Sequence, residues 1–276
     1  MNLGVSTYSF WHFEGEKMPI NHYLEKAASH GFSGVEILED HLRGLGTGDL
    51  REVKRTAFTL GLSIYAVSVH NDFVNPLTGS RDKEIELVKK WINTAYSLGA
   101  SIIRINSGRW RTIKSFDELM KNKGKEPPLP GYSEEDALRW VEESIRSLLP
   151  TAEDLGVILG LENHWGISGK ASNMVKMFND VSSKYFRAIM DIGNFIEDTY
   201  EQLEMIAPYT AMVHAKTYFG GGVWYTLDID YDRVFSMLRR HGFNGWVSLE
   251  YEGREDYDTG VAKSKELLLR YIKQQS

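Results

Sequence analysis

Residues 157–164 read Val157-Ile158-Leu159-Gly160-Leu161-Glu162-Asn163-His164. A short apolar run without polar alternation predicts a strand covered on both faces, as strands are in a parallel sheet flanked by helices. The run stops at a carboxylate, an amide and an imidazole, so the carboxyl end of the strand delivers polar groups to whatever lies beyond it. The pattern recurs in Ala188-Ile189-Met190-Asp191, Ala211-Met212-Val213-His214 and Val247-Ser248-Leu249-Glu250, where each polar residue follows three largely apolar ones.

Outward from these runs, short β-branched stretches alternate with longer amphipathic ones. Candidate strands are Leu3–Tyr8, Gly34–Leu38, Ser63–His70, Ser101–Asn106, Val157–Glu162, Arg187–Asp191, Ala211–Ala215 and Trp246–Glu250, with helical candidates such as Ile20–His30, Leu50–Leu60 and Asp82–Leu98 between them. Parallel neighbours need crossovers, and eight such repeats in 276 residues predict one domain, a single (β/α)8 barrel of the α/β class over 1–276. Gly31, Gly61, Gly99, Gly156 and Gly242 stand where helices hand over to strands and supply a left-handed residue there. A doubly wound open sheet would share the alternation but wants a glycine-rich turn after its first strand, and Ser6-Thr7-Tyr8-Ser9-Phe10 offers none.

One stretch breaks the rhythm. Residues 109–132, rich in Lys and Pro, are too long for an ordinary connection and form an insertion after strand four, on the carboxyl side of the barrel. The expectation is a partly mobile lid or an oligomer contact, against the alternative of a disordered insertion. The sequence carries no interface signature, so a homo-oligomer stays open. The net charge of −6, from 38 acidic and 32 basic residues spread along the chain, argues against a nucleic-acid partner. There is no basic segment ahead of an apolar one at the N-terminus and no window approaching about 18 apolar residues. The expectation is therefore a soluble cytoplasmic protein without a membrane partner. With no cysteine, disulfides and thiolate metal sites are excluded, leaving His, Asp and Glu as the strong metal ligands.

A barrel of this kind gathers its strand ends at one mouth, which brings Glu162, Asp191, His214 and Glu250 together. Three carboxylates buried side by side repel one another unless a cation joins them. One divalent metal ion resolves the repulsion; pairing with Lys or Arg is the structural alternative for any single residue. Three oxygen ligands and one nitrogen favour Mn²⁺, Mg²⁺ or Co²⁺, with Zn²⁺ a further candidate, and leave positions open for adjacent substrate oxygens. Such a metal stabilises an enediolate after a base removes the α-proton, and two carboxylates allow the proton to return from either side. Epimerisation, isomerisation and elimination all start from that intermediate.

These motifs resemble the xylose-isomerase-like TIM-barrel superfamily of sugar isomerases and epimerases along nearly the whole chain. The carriers are Gly160-Leu161-Glu162-Asn163-His164, Asp191-Ile192-Gly193-Asn194, Val213-His214-Ala215-Lys216 and 242–252. The resemblance implies that Glu162, Asp191, His214 and Glu250 bind the metal, and that Glu162 and Glu250 also act as acid and base, as in the ketose 3-epimerase branch. Two positions depart from that branch: Asn194 stands where it has a histidine, and the glycine-rich 218–222 stands where it has an arginine.

Around the metal, His70, His164, Lys216, Asn194, Arg104 and Trp11 are candidate substrate contacts. Lys216 and His164 share a strand face with His214 and Glu162 by alternation. Glu36 is expected either to pair with Arg104 or to touch the sugar. Tyr8, Phe10, Trp11, Phe73 and Trp165 are candidates for an apolar wall. The leading expectation is a metal-dependent sugar isomerase or epimerase acting on a small ketose, aldose or keto-acid. A dehydratase or lyase on inosose-like or 3-keto-sugar substrates is the nearest alternative. A nuclease resembling endonuclease IV and a non-catalytic sugar-binding barrel stand further off.

Overall fold

The computed structural model describes residues 1–273 as a closed barrel of eight parallel strands in sequence order. The strands are β1 (Asn2–Ser6), β2 (Gly34–Leu38), β3 (Ser63–Ser68), β4 (Ile102–Ile105), β5 (Ile158–Glu162), β6 (Phe186–Asp191), β7 (Thr210–Thr217) and β8 (Trp246–Tyr251). Pairing of β1 with β8, Val5 opposite Leu249, closes the ring. Around it lie α1 (Ile20–Ser29), α2 (Thr47–Thr59), α3 (Thr78–Leu98), α4 (Phe116–Lys121), α5 (Glu134–Leu155), α6 (Ala171–Val181), α7 (Thr199–Ile206), α8 (Tyr231–Arg240) and α9 (Tyr257–Lys273).

All eight expected strands are present, with ends that differ by a few residues. The first stops at Ser6 rather than Tyr8 because the Ser6 hydroxyl accepts from the Tyr8 amide and starts a 3-10 turn over Thr7–Phe10. The five handover glycines all take positive φ, between 68° and 85°.

Most of the core lies between strands and helices, while a smaller cluster of Tyr65, Ala66, Ile102, Ile189 and Met212 plugs the barrel interior. Tyr65 stacks on Trp246 at 4.4 Å. Glycine makes this plug fit: a Cβ on Gly160 would lie 2.5 Å from Ile189, and one on Gly4 would lie 2.3 Å from the Tyr65 ring. Above the plug comes a polar layer, in which the Tyr65 hydroxyl donates to Ser248 and Ser248 to Glu36. The plug thus closes one end of the barrel and leaves the carboxyl end for polar side chains.

The insertion is a folded segment. Ser115 caps α4, Leu119 is buried, and Glu126 is almost fully enclosed, accepting from the Arg109 guanidinium and from the Arg111 and Ile113 amides. Gly124, at φ 74°, packs against Trp165. Residues 109–132 therefore fold back over the loop that follows β5.

Candidate metal centre

Glu162 ends β5 and Asp191 ends β6; His214 lies on β7 opposite Asp191, and Glu250 lies on β8 opposite Lys216. All four are buried, and one ligand atom from each falls within 4.8 Å of the others. The imidazole has two distinct sides. Its Nδ1 faces the carboxylates, 3.0 Å from Glu162 Oε1, 3.4 Å from Glu250 Oε1 and 4.0 Å from Asp191 Oδ2, while Nε2 is 3.0 Å from Glu36 Oε1. A carboxylate behind a histidine is how metal sites orient the ring and choose which nitrogen is free.

The donor set fits a divalent cation. Asp191 Oδ2 and Glu162 Oε2 are buried without a hydrogen-bond partner; their nearest cations are Lys216 Nζ at 3.4 Å and Arg104 Nε at 3.5 Å, and a metal ion between the carboxylates would satisfy them more fully. Charge within the cluster points the same way. Burial pushes the Asp191 carboxyl well above its usual range and the charges of Glu162 and Glu250 push it further, against Lys216. Burial would lower the His214 imidazole, but Glu250 and Glu36 outweigh it and hold the ring well above its ordinary value. The protein by itself keeps protons where a cation would otherwise balance the charge. Three oxygens and one imidazole suit Mn²⁺, Mg²⁺ or Co²⁺ and also permit Zn²⁺.

A sequence model of the family described as xylose isomerase-like TIM barrel matches residues 24–271. The chain belongs to the xylose isomerase-like TIM-barrel family. Solved structures resemble it over their full length. D-psicose 3-epimerase with D-tagatose from Clostridium cellulolyticum H10 aligns with a TM-score of 0.79 at 18% identity, covering 99% of both chains. The 3-keto-D-glucoside 4-epimerase from E. coli gives 0.74 at 18%, covering 96% of this chain and 99% of its own. The IOLI protein with a bound zinc atom gives 0.74 at 17%, covering 99% of both. At these identities the likeness is one of fold.

In this xylose isomerase-like barrel a cavity of about 340 Å³ is lined by Glu162 and Glu250 of the four clustered residues, and Asp191 and His214 are not part of its lining. Of the residues expected to meet substrate, His70, Arg104, His164, Asn194 and Lys216 line it. Burial pushes the His164 imidazole down to about 4, so the ring is neutral near neutral pH. Asn194 donates to Glu162 over 3.4 Å and accepts from the Tyr225 hydroxyl at 3.1 Å. Lys216 is heavily engaged: its ammonium lies 2.5 Å from Glu252, 3.2 Å from Glu250 and 3.4 Å from Asp191. Arg104 Nε lies 3.5 Å from Glu162, and its Nη1 donates to the Val69 carbonyl and to Asn106. Burial would raise the Glu162 carboxyl, but Arg104 and His214 outweigh it and hold it well below its usual range.

Three expectations about position need changing. Glu36 neither pairs with Arg104 nor meets the cavity; it is fully buried behind His214, where Ser68 and Ser248 also donate to it. Trp11 lies off the cavity, packed on Phe13 and His41, because the chain leaves strand geometry at the 3-10 turn and passes through positive φ at His12 and Phe13. Phe13 takes the place beside the cavity. Of the proposed apolar wall, Tyr8 and Trp165 line the cavity, whereas Phe10 and Phe73 are core. Sequence reasoning missed Glu252, Phe116, Trp224 and Tyr225 as lining residues. Glu252 was within reach, since it stands two residues beyond Glu250 just as Lys216 does beyond His214. Trp224 and Tyr225 sit in an irregular loop, and Phe116 opens the short α4 inside the insertion, so no strand period reaches any of them.

Proposed function

We propose that this protein is a divalent-metal-dependent isomerase or epimerase of a small ketose, aldose or keto-acid, with Glu162, Asp191, His214 and Glu250 as the ligands. The observation that carries the reading is the convergence of this donor set, with two carboxylate oxygens that lack a hydrogen bond, two of its members lining a cavity of sugar-accommodating size. When bound, the ion would chelate neighbouring carbonyl and hydroxyl oxygens of the sugar and stabilise the negative charge left by removal of the adjacent proton.

The chain's own residues supply the proton traffic. Glu162, held ionised beside Arg104, is suited to accept the proton. Glu250 belongs to β8, with β6 and β7 between it and Glu162 on β5, so a second carboxylate reaches the cavity from a different direction and is suited to return a proton. Lys216 fastens Glu250, Asp191 and Glu252 to one another, and Asn194 helps to orient Glu162. The proteins of similar fold include a D-psicose 3-epimerase with D-tagatose and a 3-keto-D-glucoside 4-epimerase, which supports carbohydrate as the substrate class.

Elemental analysis of the purified protein and of a Glu162→Ala, Asp191→Ala double variant tests the metal. About one divalent ion per chain, lost in the variant, is expected. The loaded protein should then exchange sugar C–H for solvent deuterium without releasing water or an aglycone. A native protein that binds no divalent ion under any loading condition would end this reading.

A further inference from the structure

We infer that the cavity takes an unphosphorylated sugar carrying a second ring, a glycoside whose sugar, with its carbonyl on a ring carbon other than the anomeric one, sits on the ionic floor and whose aglycone lies in an aromatic collar at the mouth. This rests on the sugar reading above and narrows it. The cavity is graded in depth and polarity: Glu162, Lys216 and Glu250 are at most 5% exposed, whereas Phe13, Phe116 and Trp224 are 48%, 38% and 38% exposed. Large exposed aromatics scattered singly carry no meaning, but these three border one opening.

They are also joined into one structure. Trp165 meets Phe116 at 5.4 Å, and Phe116 meets Trp224 edge-on at 4.9 Å. The Trp224 indole N–H points to the Tyr8 hydroxyl at 3.3 Å, and the Tyr8 ring meets Phe13 at 5.7 Å. The members come from separate segments: the loop after β1, the insertion, the loop after β5 and the loop after β7. An arc of flat apolar faces above a polar floor matches a ligand that is polar at one end and ring-shaped and apolar at the other. It also gives the insertion a role, since Phe116 joins the two tryptophans.

The fixed charges argue for an unphosphorylated ligand. The only lysine or arginine side chains lining the cavity among the described residues are Arg104 and Lys216, and both already face carboxylates. A phosphate would meet the negative charge of Glu162, Glu250 and Glu252 with no uncommitted lysine or arginine to pair with.

Calorimetric titration of the manganese-loaded protein tests the assignment, with methyl and phenyl β-glycosides of glucose, galactose and mannose, and with glucose against glucose 6-phosphate. At least one phenyl glycoside should bind about tenfold tighter than its methyl counterpart, as expected for one good aromatic contact plus buried ring surface. That ratio should fall toward one in Trp224→Ala and in Phe116→Ala, and glucose 6-phosphate should bind no tighter than glucose. Equal binding of phenyl and methyl glycosides for every sugar, no phenyl glycoside binding, a ratio unchanged in both variants, or tighter binding of the phosphate overturns it. Deuterium exchange into free sugars without any phenyl preference removes the collar assignment and leaves the isomerase reading standing. Phenyl preference without exchange into any sugar does the reverse.

Discussion

At the scale of single residues, the least conspicuous member of the site is Glu36. It touches no cavity, yet it meets the Nε2 of His214 and leaves Nδ1 for the carboxylate side. Glu36→Gln keeps the shape but removes the charge that makes the imidazole a strong donor, and the divalent-ion affinity should fall about 10- to 100-fold by equilibrium dialysis. An unchanged affinity would mean that the ring is held by packing alone. Gly160 answers to packing in another way. With Ile189 2.5 Å from the place of a Cβ, Gly160→Ala overfills the barrel plug and should cost about 1–3 kcal/mol in urea unfolding, with the metal donors untouched. A neutral result would show that Ile189 can swing aside.

Among the elements, the strands were the most legible part of the chain and the insertion the least. A strand buried on both faces has to be apolar until it leaves the barrel, so a run such as Ile158–Leu161 announces both its state and the place where Glu162 emerges. That logic carried the reading to Asp191, His214 and Glu250, and through alternation to Lys216. It failed at Trp11 and gave no view of Trp224, because irregular backbone has no period to extrapolate, nor of Phe116, which opens the short α4 outside the barrel repeat. The insertion is held by Glu126, whose carboxylate gathers a guanidinium and two amides in a nearly dry place. Removing one side of such a buried network costs about 3–5 kcal/mol. Since the barrel pairs its strands independently of 109–132, Glu126→Ala should loosen that segment alone. Hydrogen exchange should quicken across 109–132 and protease should cut there, while amides of β1 to β8 stay protected. Uniform loss of protection would show instead that the insertion is part of the cooperative barrel.

For the molecule as a whole, the acid response of stability should be set largely by histidines that the fold keeps neutral. His41 is 5% exposed, stacked on Tyr23 at 4.1 Å, with burial, and then Lys17, pushing it down to about 3. His12 is 1% exposed and is pushed down to about 4, chiefly by burial. In the unfolded chain both return to about 6.5. Above that pH neither state binds the proton and the full stability is present. As pH falls below about 6.5 the unfolded state takes up protons that the folded state refuses, so stability drops by up to about 1.4 kcal/mol per pH unit for each histidine, until the folded pKa is reached. Asp191, raised in the fold, acts with the opposite sign, because above its unfolded value the folded state binds the extra proton. A simple stability curve therefore mixes the two, and the difference between the native chain and a His41→Phe variant separates them. Phenylalanine keeps the stack on Tyr23 and gives up the contact with Thr7 equally at every pH, leaving the slope as the readout. Between pH 6.5 and 4.5 the native protein should lose about 2–3 kcal/mol more than the variant in urea titrations. Parallel curves would show that His41 takes up its proton inside the fold, and that its site between Tyr23 and Trp11 admits water the packing is built to exclude.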